Sequence, residues 1–407
     1  MQLPQAVCDI LKTLSQSGFA AYAVGGCVRD SLLCCVPQDW DICTDATPDE
    51  MRRVFAGETV IATGEAHGTL TLIREKIPYE ITTFRTDGPY FDARHPSKVQ
   101  FGVTLAKDLA RRDFTINAMA YAPETGLVDL YGGQADLDAK RLRCVGNPQL
   151  RFSEDALRIL RAVRFAATLG FEIEHKTKFA ALQAAKNLAQ IAPERICAEL
   201  KKLLMGQDAG KVMQEYAAIF KVIFPMDFPE IVWTTVTDAI TATPPNLTVR
   251  LALLDSVVGI RNLKAMRFDG KRIEAVEIIA RNLRTFFDAR PYAARKALSD
   301  YGTERLLQLL QAQKALAIAK KDKTVERSVD AFTALVQAQI AANVPVTLAQ
   351  LCVNGTDAQA IGLQGRAIGR ALAAALEAVL QDETCNTRSR LLPLLAAFAV
   401  LEKQSEK

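Results

Sequence analysis

An α+β fold, with a mixed head followed by helices only, is predicted by a change of texture along the 407 residues. Up to about residue 145, short β-type runs alternate with turns and short helices. Beyond about residue 146 the β signal fades, and helical spacing of Ala and Leu takes over. Length agrees with a divided chain, because one core seldom serves more than about 150 residues. The segments read from the sequence are 1–145, a catalytic head; 146–210, a helical neck; 211–330, a helical body; and 331–407, a helical tail.

In order along the chain, Leu3 to Ser17 reads as a helix, and Ala21 to Val24 as a short strand ended by Gly25-Gly26. Thr47 to Phe55 reads as a second helix, with Asp45 or Thr47 as its cap and Pro48 in its first turn. Thr69 to Ile73 and Tyr79 to Phe84 form a hairpin around Glu75-Lys76-Ile77-Pro78. Ser153 caps a helix expected to run through Phe165. Pro193 opens another, striped by Ile196, Leu200, Leu203 and Leu204. Ile361, Gly365, Ile368, Leu372 and Val379 keep helical spacing near the end. Phe224 to Pro229 and Pro244-Pro245 read as a boundary or hinge.

Composition excludes several classes. The chain is 49% hydrophobic and 24% charged, an ordinary globular balance. Its longest apolar run, Leu391 to Leu401, is 11 residues, against about 20 for a membrane span. Asp9 and Lys12 interrupt the N-terminal apolar residues, unlike a secretory signal. Nine cysteines without any CxxC spacing argue against a disulfide framework or structural zinc, and fit a reducing cytoplasm. Three histidines leave little room for histidine-based metal chemistry. The net charge is only +4, yet residues 140–205 hold thirteen Lys and Arg against six Asp and Glu. That basic stretch is either a solvated helical face or a strip for phosphates.

The sharpest local feature is Val24-Gly25-Gly26-Cys27-Val28-Arg29-Asp30, followed by Asp39-Trp40-Asp41. On a strand Asp39 and Asp41 share a face, and two carboxylates so close repel unless cations lie between them. Such ligands suit Mg²⁺, which is held by one or two carboxylates together with substrate phosphates. Gly25 and Gly26 let backbone N–H groups approach a triphosphate, and Arg29 is placed to pair with its oxygens. A lone DxD is usually a surface turn; the glycine pair and arginine at this distance make the combination stronger. Glu80 is a third carboxylate for the site or, equally, a salt-bridge partner of Arg85. Rival nucleotide signatures fail, because there is neither a GxxxxGK(S/T) loop nor a GxGxxG after a strand.

These residues, with others, resemble the bacterial class II CCA-adding enzymes, tRNA nucleotidyltransferases of the polymerase β-like superfamily. GGCVRD with DWD resembles the family's catalytic motif. Arg111 to Ala120, RRDFTINAMA, resembles its ribose-reading motif. Glu154-Asp155-Ala156-Leu157-Arg158, continuing through Arg161 and Arg164, resembles its base-selecting motif. Pro193-Glu194-Arg195-Ile196 resembles a later helical motif that supports the selecting helix. Asn354-Gly355 and Gly362 to Gly369 resemble the family's tail, so the likeness spans nearly the whole chain. One departure is Cys34, which follows Leu32-Leu33 where the family usually has glycine; a local adjustment of the turn is expected.

The resemblance implies template-independent addition of CCA to tRNA from CTP and ATP by a two-metal mechanism, with release of pyrophosphate. It implies a polymerase β-like head, Mg²⁺ on Asp39 and Asp41, and base reading by Asp155 and Arg158. The residue types agree: a carboxylate only accepts and a guanidinium only donates, which matches the amino edge of cytosine and adenine and mismatches guanine and uracil. At i and i+3 on one helix the two share a face, although such a pair is also an ordinary surface salt bridge. Asp113 is expected to accept from a ribose hydroxyl, and Arg112, Arg161 and Arg164 to hold phosphates and brace the selecting helix. Asn117 is expected to fix the local turn, and Arg111 to contact a phosphate or serve structure.

Asp87 to Pro96 resembles the family's flexible loop, with Asp92 and Arg94 as levers for switching from C to A. That loop separates the chain from enzymes adding CC alone, and Thr63 to Thr69 resembles the CCA-type segment rather than that of poly(A) polymerases. An A-adding enzyme or a poly(A) polymerase is the alternative activity. A non-enzymatic RNA-binding protein on a decayed transferase scaffold is the alternative class, and intact Asp39, Asp41, Arg112, Asp113, Asp155 and Arg158 argue against decay. The expected partner is the acceptor and TΨC side of tRNA, read by shape and backbone, with no membrane involved.

Overall fold

The seven-stranded sheet of the head is built from strands whose sequence order differs from their spatial order. The computed structural model describes residues 1–88 and 99–405. Asp92 and Arg94 therefore lie outside the described residues. The head runs α1 (Gln5–Gln16), β1 (Ala21–Val24), α2 (Gly26–Leu32), β2 (Asp41–Thr44), α3 (Pro48–Val54), β3 (Thr59–Gly64), β4 (Thr69–Arg74) and β5 (Ile77–Thr83). Then follow β6 (Arg85–Asp87), β7 (Val99–Phe101), α4 (Leu105–Ala110), β8 (Met119–Ala122), β9 (Gly126–Asp129), α5 (Gly133–Asp138) and β10 (Arg141–Leu142). The sheet order is β3-β4-β5-β2-β1-β8-β9, and only β2 with β5 is parallel within it. On β2, Ile42 joins the core cluster with Val7, Ile10, Leu11 and Leu14 of α1. Its neighbour Cys43 joins a different cluster, with Val24, Phe84, Leu109 and Val145. The strand bearing the DxD is thus buried on both faces, as period two requires.

Local chemistry sets the ends of these elements. Thr47 caps α3, and Glu50 closes the reciprocal capping box. The hairpin turns on two residues only, Glu75 and Lys76, at φ of 51° and 66°, with Arg74 paired to Ile77. Ile77 and Pro78, read as turn, belong to β5, because a two-residue loop with positive φ matches the strand twist.

The neck continues with α6 (Pro148–Glu154), α7 (Leu157–Leu169), β11 (Glu172–Ile173), α8 (His175–Ala184), α9 (Pro193–Leu204), α10 (Ala209–Glu215) and α11 (Ala217–Ile223). The single helix expected from Ser153 to Phe165 is in fact two, broken at Asp155 (φ −144°, ψ 105°). Head and neck form one unit, Met1–Asp227 with Ala265–Arg267. The 145/146 division is bridged by backbone bonds from Glu172 N to Lys140 O and from Glu174 N to Leu142 O, and by the parallel pairing of β10 with β11.

The second unit comprises Phe228–Lys264 and Phe268–Lys407, and it begins in the Pro-rich stretch read as a hinge. Leu247–Val258 is buried along most of its length, as the central helix of a bundle must be. The expected boundary at 330/331 falls inside the helix Lys323–Ala341. That helix gives Val329, Phe332 and Val336 to the core containing Ala294 and Leu306. A separate core, from Val353 to Ala399, follows it. Ile361 and Gly365 precede the helix Arg366–Gln381 rather than lying on it, because Gly365 (φ 55°) starts it. Among the described residues no helix is long and apolar enough to cross a membrane.

Candidate active site

Asp41 opens β2 and lies opposite Glu80 of β5 in the parallel ladder. Asp39 is exposed and precedes the strand, so the expected pair is one strand residue and one lead-in residue. Burial, then the charges of Asp39 and Glu80, push the Asp41 carboxyl up to about 6, against the opposing Arg112. That mutual repulsion is what a divalent cation relieves, so the residues present fit one. Among the described residues no three His, Cys, Asp or Glu side chains gather closely enough to hold an ion by themselves. The Glu80 charge bears on Asp41 across the ladder.

The glycine turn adjoins this pair. Gly25 (φ +82°) precedes α2, and a Cβ there would stand 3.1 Å from Arg112 Nη1. Both the backbone angle and the close approach exclude a side chain. At Gly26 a Cβ would meet Arg29 Nη2 at 3.6 Å, an ordinary contact. Arg29, expected at the triphosphate, is only 9% exposed. Its Nε donates to Asp30 (2.8 Å) and its Nη1 to Asn117 Oδ1 (2.6 Å), and it lies over the Phe165 ring at 5.0 Å.

The RRD motif follows α4 and is organised by acids. Asp108, fully buried, accepts from Arg111 Nε (3.0 Å) and Nη2 (2.9 Å) on one oxygen and from Arg112 Nη2 (3.1 Å) on the other. Burial alone would raise the Asp108 carboxyl; the charges of Arg112 and Arg111 outweigh it and hold it below the usual range. Asp113 is equally occupied: Oδ1 accepts from the Phe114 N–H (2.8 Å) and Asn117 Nδ2 (3.0 Å), and Oδ2 from Arg161 Nε (2.8 Å). Burial opposes its charge, but Arg161 and Asn117 bring the carboxyl down to about 2. Its bonds run to Arg161 of α7 and to Asn117 in the turn.

Asp155 and Arg158 do not share a helical face, because α6 ends before Asp155 and α7 starts after it. Asp155 Oδ1 accepts from the Leu157 N–H (3.0 Å) and Oδ2 from Arg195 Nη2 (2.7 Å). Arg158 donates to Arg151 O and Arg111 O, each at 3.1 Å, and pairs with Glu154. The bond to Arg111 O ties the base-selecting motif to the RRD motif. Glu199, 6% exposed, pairs with Arg164 (2.6 Å) and Arg161 (3.6 Å), which ties α7 to α9. Arg164 also lies over the Phe165 ring at 3.6 Å.

Sequence reasoning missed Asp108 and Glu199. Asp108 stands three and four residues before Arg111 and Arg112, the spacing at which helical side chains meet. Glu199 is a charge among the buried residues Ile196, Cys197, Leu200 and Leu203 of α9, which calls for a buried cation. All nine cysteines are free, and burial pushes the Cys27 thiol up to about 11 and Cys144 up to about 12, so neither is a nucleophile near neutrality.

Known proteins resemble this chain in sequence and fold. A family model described as the Poly A polymerase head domain matches residues 21–143. Another, described as a probable RNA and SrmB-binding site of polymerase A, matches residues 170–226. A CCA-adding enzyme of Leuconostoc citreum is 36% identical over 397 residues, covering 94% of this chain and 93% of its own. One of Bacillus subtilis is 44% identical over 205 residues, 50% of this chain and 51% of its own. The crystal structure of the Bacillus stearothermophilus CCA-adding enzyme in complex with CTP has a TM-score of 0.80 at 30% identity, covering 100% of both chains. The Thermotoga maritima CCA-adding enzyme complexed with tRNA shares the fold, with a TM-score of 0.67 at 21% identity over 97% and 96% of the chains.

Proposed function

The chain belongs to the CCA-adding enzyme family, and from that premise we propose that it adds CCA, without a nucleic-acid template, to the 3′ end of tRNA from CTP and ATP. The observation that carries the reading is the meeting of Asp39, Asp41 and Arg112 at the Gly25 turn. Asp39 and Asp41 would hold Mg²⁺, which supplies charge neutralisation at the attacking 3′-hydroxyl and at the leaving pyrophosphate. The tRNA 3′-oxygen attacks the α-phosphorus of the bound nucleotide, and pyrophosphate leaves. Gly25 leaves the approach to this turn open, and Arg112 presents positive charge beside it. Asp155 and Arg158 read the base edge; Arg195 and the Leu157 N–H take only two of about four acceptor positions on Asp155. Arg161 on Asp113 and Arg29 over the Phe165 ring hold that helix against the head, and Arg164 ties it to Glu199 of α9. With no covalent nucleophile, the protein's work is positioning and electrostatics. The helical second unit is assigned to tRNA, and the site of action to the cytoplasm.

The test uses tRNAs ending before CCA, in C and in CC, each with CTP, ATP or both. Completion of all three is expected. Addition of A alone would make the chain an A-adding enzyme, and long A tracts a poly(A) polymerase. Full incorporation by the Asp39→Ala, Asp41→Ala protein would overturn the metal assignment.

A further inference from the structure

Asp108 lies in α4 with its side chain fully out of solvent. A carboxylate so placed is costly unless its oxygens are satisfied. Here they are divided between two consecutive arginines: Oδ1 accepts from Arg111 and from the Arg85 backbone N–H (3.3 Å), Oδ2 from Arg112 Nη2 (3.1 Å). The Arg112 fork is thus held from one side. Its Nη1 stands 3.1 Å from the place a Gly25 Cβ would take, and its charge reaches Asp41. Its Nε is buried and has no hydrogen-bond partner. The guanidinium is therefore held by Asp108 at one terminal nitrogen, while the other faces the glycine turn, where only the absence of a side chain leaves it room. An amide in place of the carboxylate offers one accepting oxygen where two arginines need two.

We propose that Asp108 is a positioning residue for nucleotide binding, which sets the Arg112 guanidinium against the Gly25 turn before the triphosphate arrives. The inference rests on the reading of Arg112 as a nucleotide ligand. Asp108 touches neither nucleotide nor metal; it acts through Arg112. Positioning in advance lowers the cost of ordering a long side chain when the ligand binds.

The experiment is a double-mutant cycle of Asp108→Asn and Arg112→Lys, read as KM and kcat for CTP and for ATP on tRNA primers. Asp108→Asn is expected to raise both KM values about tenfold, the scale of one charge-assisted hydrogen bond, with kcat changed less than threefold. In the Arg112→Lys background Asp108→Asn is expected to add almost nothing. Independent, multiplying effects would overturn the proposal, as would unchanged KM values with only a lowered melting temperature. Asp108→Glu, which keeps the charge, is expected to hold KM nearer to that of the wild type. If Asp108→Asn does not fold, the cycle is read with Asp108→Ser, which also removes the carboxylate, and multiplying effects overturn the proposal there too. Absence of any incorporation by the wild-type chain overturns the proposed function and this inference together; wild-type incorporation with a multiplying cycle overturns the role of Asp108 alone.

Discussion

Cys34 has a φ of +58°, in the turn that closes α2. The Cys35 N–H bonds to Asp30 O (2.8 Å) and the Cys34 N–H to Ser31 O (3.1 Å), the pattern of a helix end that favours glycine at the left-handed residue. The chain therefore carries strain where its relatives' motif has glycine, and the exposed thiol does not offset it by burial. Cys34→Gly is expected to stabilise the first unit by about 1 kcal/mol, less the added freedom of the unfolded chain. A urea midpoint that falls instead would show that the thiol does more than occupy the turn. Asp113 makes the opposite kind of contribution. Its carboxyl sits at about 2 when folded, against about 3.9 in an unfolded chain. Its stabilisation, about 2 kcal/mol, is thus fully present above pH 4 and is lost as pH falls towards 2. Asp113→Asn is expected to be less stable at neutral pH and to lose stability less steeply between pH 4.5 and 3. Equal slopes for the two proteins, by unfolding midpoints, would contradict this.

At the scale of elements, the sequence was most readable where one local rule decides. Thr47 with Pro48 gave α3, and Pro193 gave α9, because caps and proline act within a turn. The α6–α7 break was not read, because it rests on the Asp155 carboxylate holding a local N–H and a distant arginine together. Arg195, 40 residues on, takes one Asp155 oxygen, and the Leu157 N–H takes the other. Likewise the candidate residues were legible as a set, but their partners were not: Arg29 meets Asn117, and Asp113 meets Arg161, across 88 and 48 residues. Long-range pairs of this kind follow from how sheet and helices pack, which spacing does not reveal. The break gives an element-scale prediction. Asp155→Ala removes both bonds and lets the chain from Pro148 to Leu169 continue as one helix. Discrimination of CTP and ATP against UTP and GTP is expected to fall at least about tenfold in kcat/KM, the scale of one lost polar pairing. A variant that still rejected UTP and GTP would place base selection elsewhere.

For the whole molecule, the modest net charge of +4 hides an uneven distribution, with an excess of seven positive charges in residues 140–205. Part of that excess is taken up by acids outside the stretch: Arg161 pairs with Asp113 and Arg143 with Asp136. Lys140, Lys176 and Lys186 are exposed and available to a phosphate backbone. Binding of tRNA is expected to weaken at least about tenfold between 50 and 200 mM salt, as counterions released on binding must be displaced again. A dissociation constant that stays level across that range would mean recognition without the backbone. The division of the cysteines has a consequence of a different kind. Cys27 lies beneath the catalytic strand, its Sγ 3.8 Å from Asp41 O, and Cys43 is wholly enclosed two residues beyond it, while Cys34 and Cys35 are open to solvent. A thiol-alkylating reagent therefore meets two populations in one molecule, one tagged on mixing and the other only when the head breathes. Mass spectrometry of Cys27 over time becomes a clock for that opening, carried by the chain without any engineered label, and a bound nucleotide slows the clock.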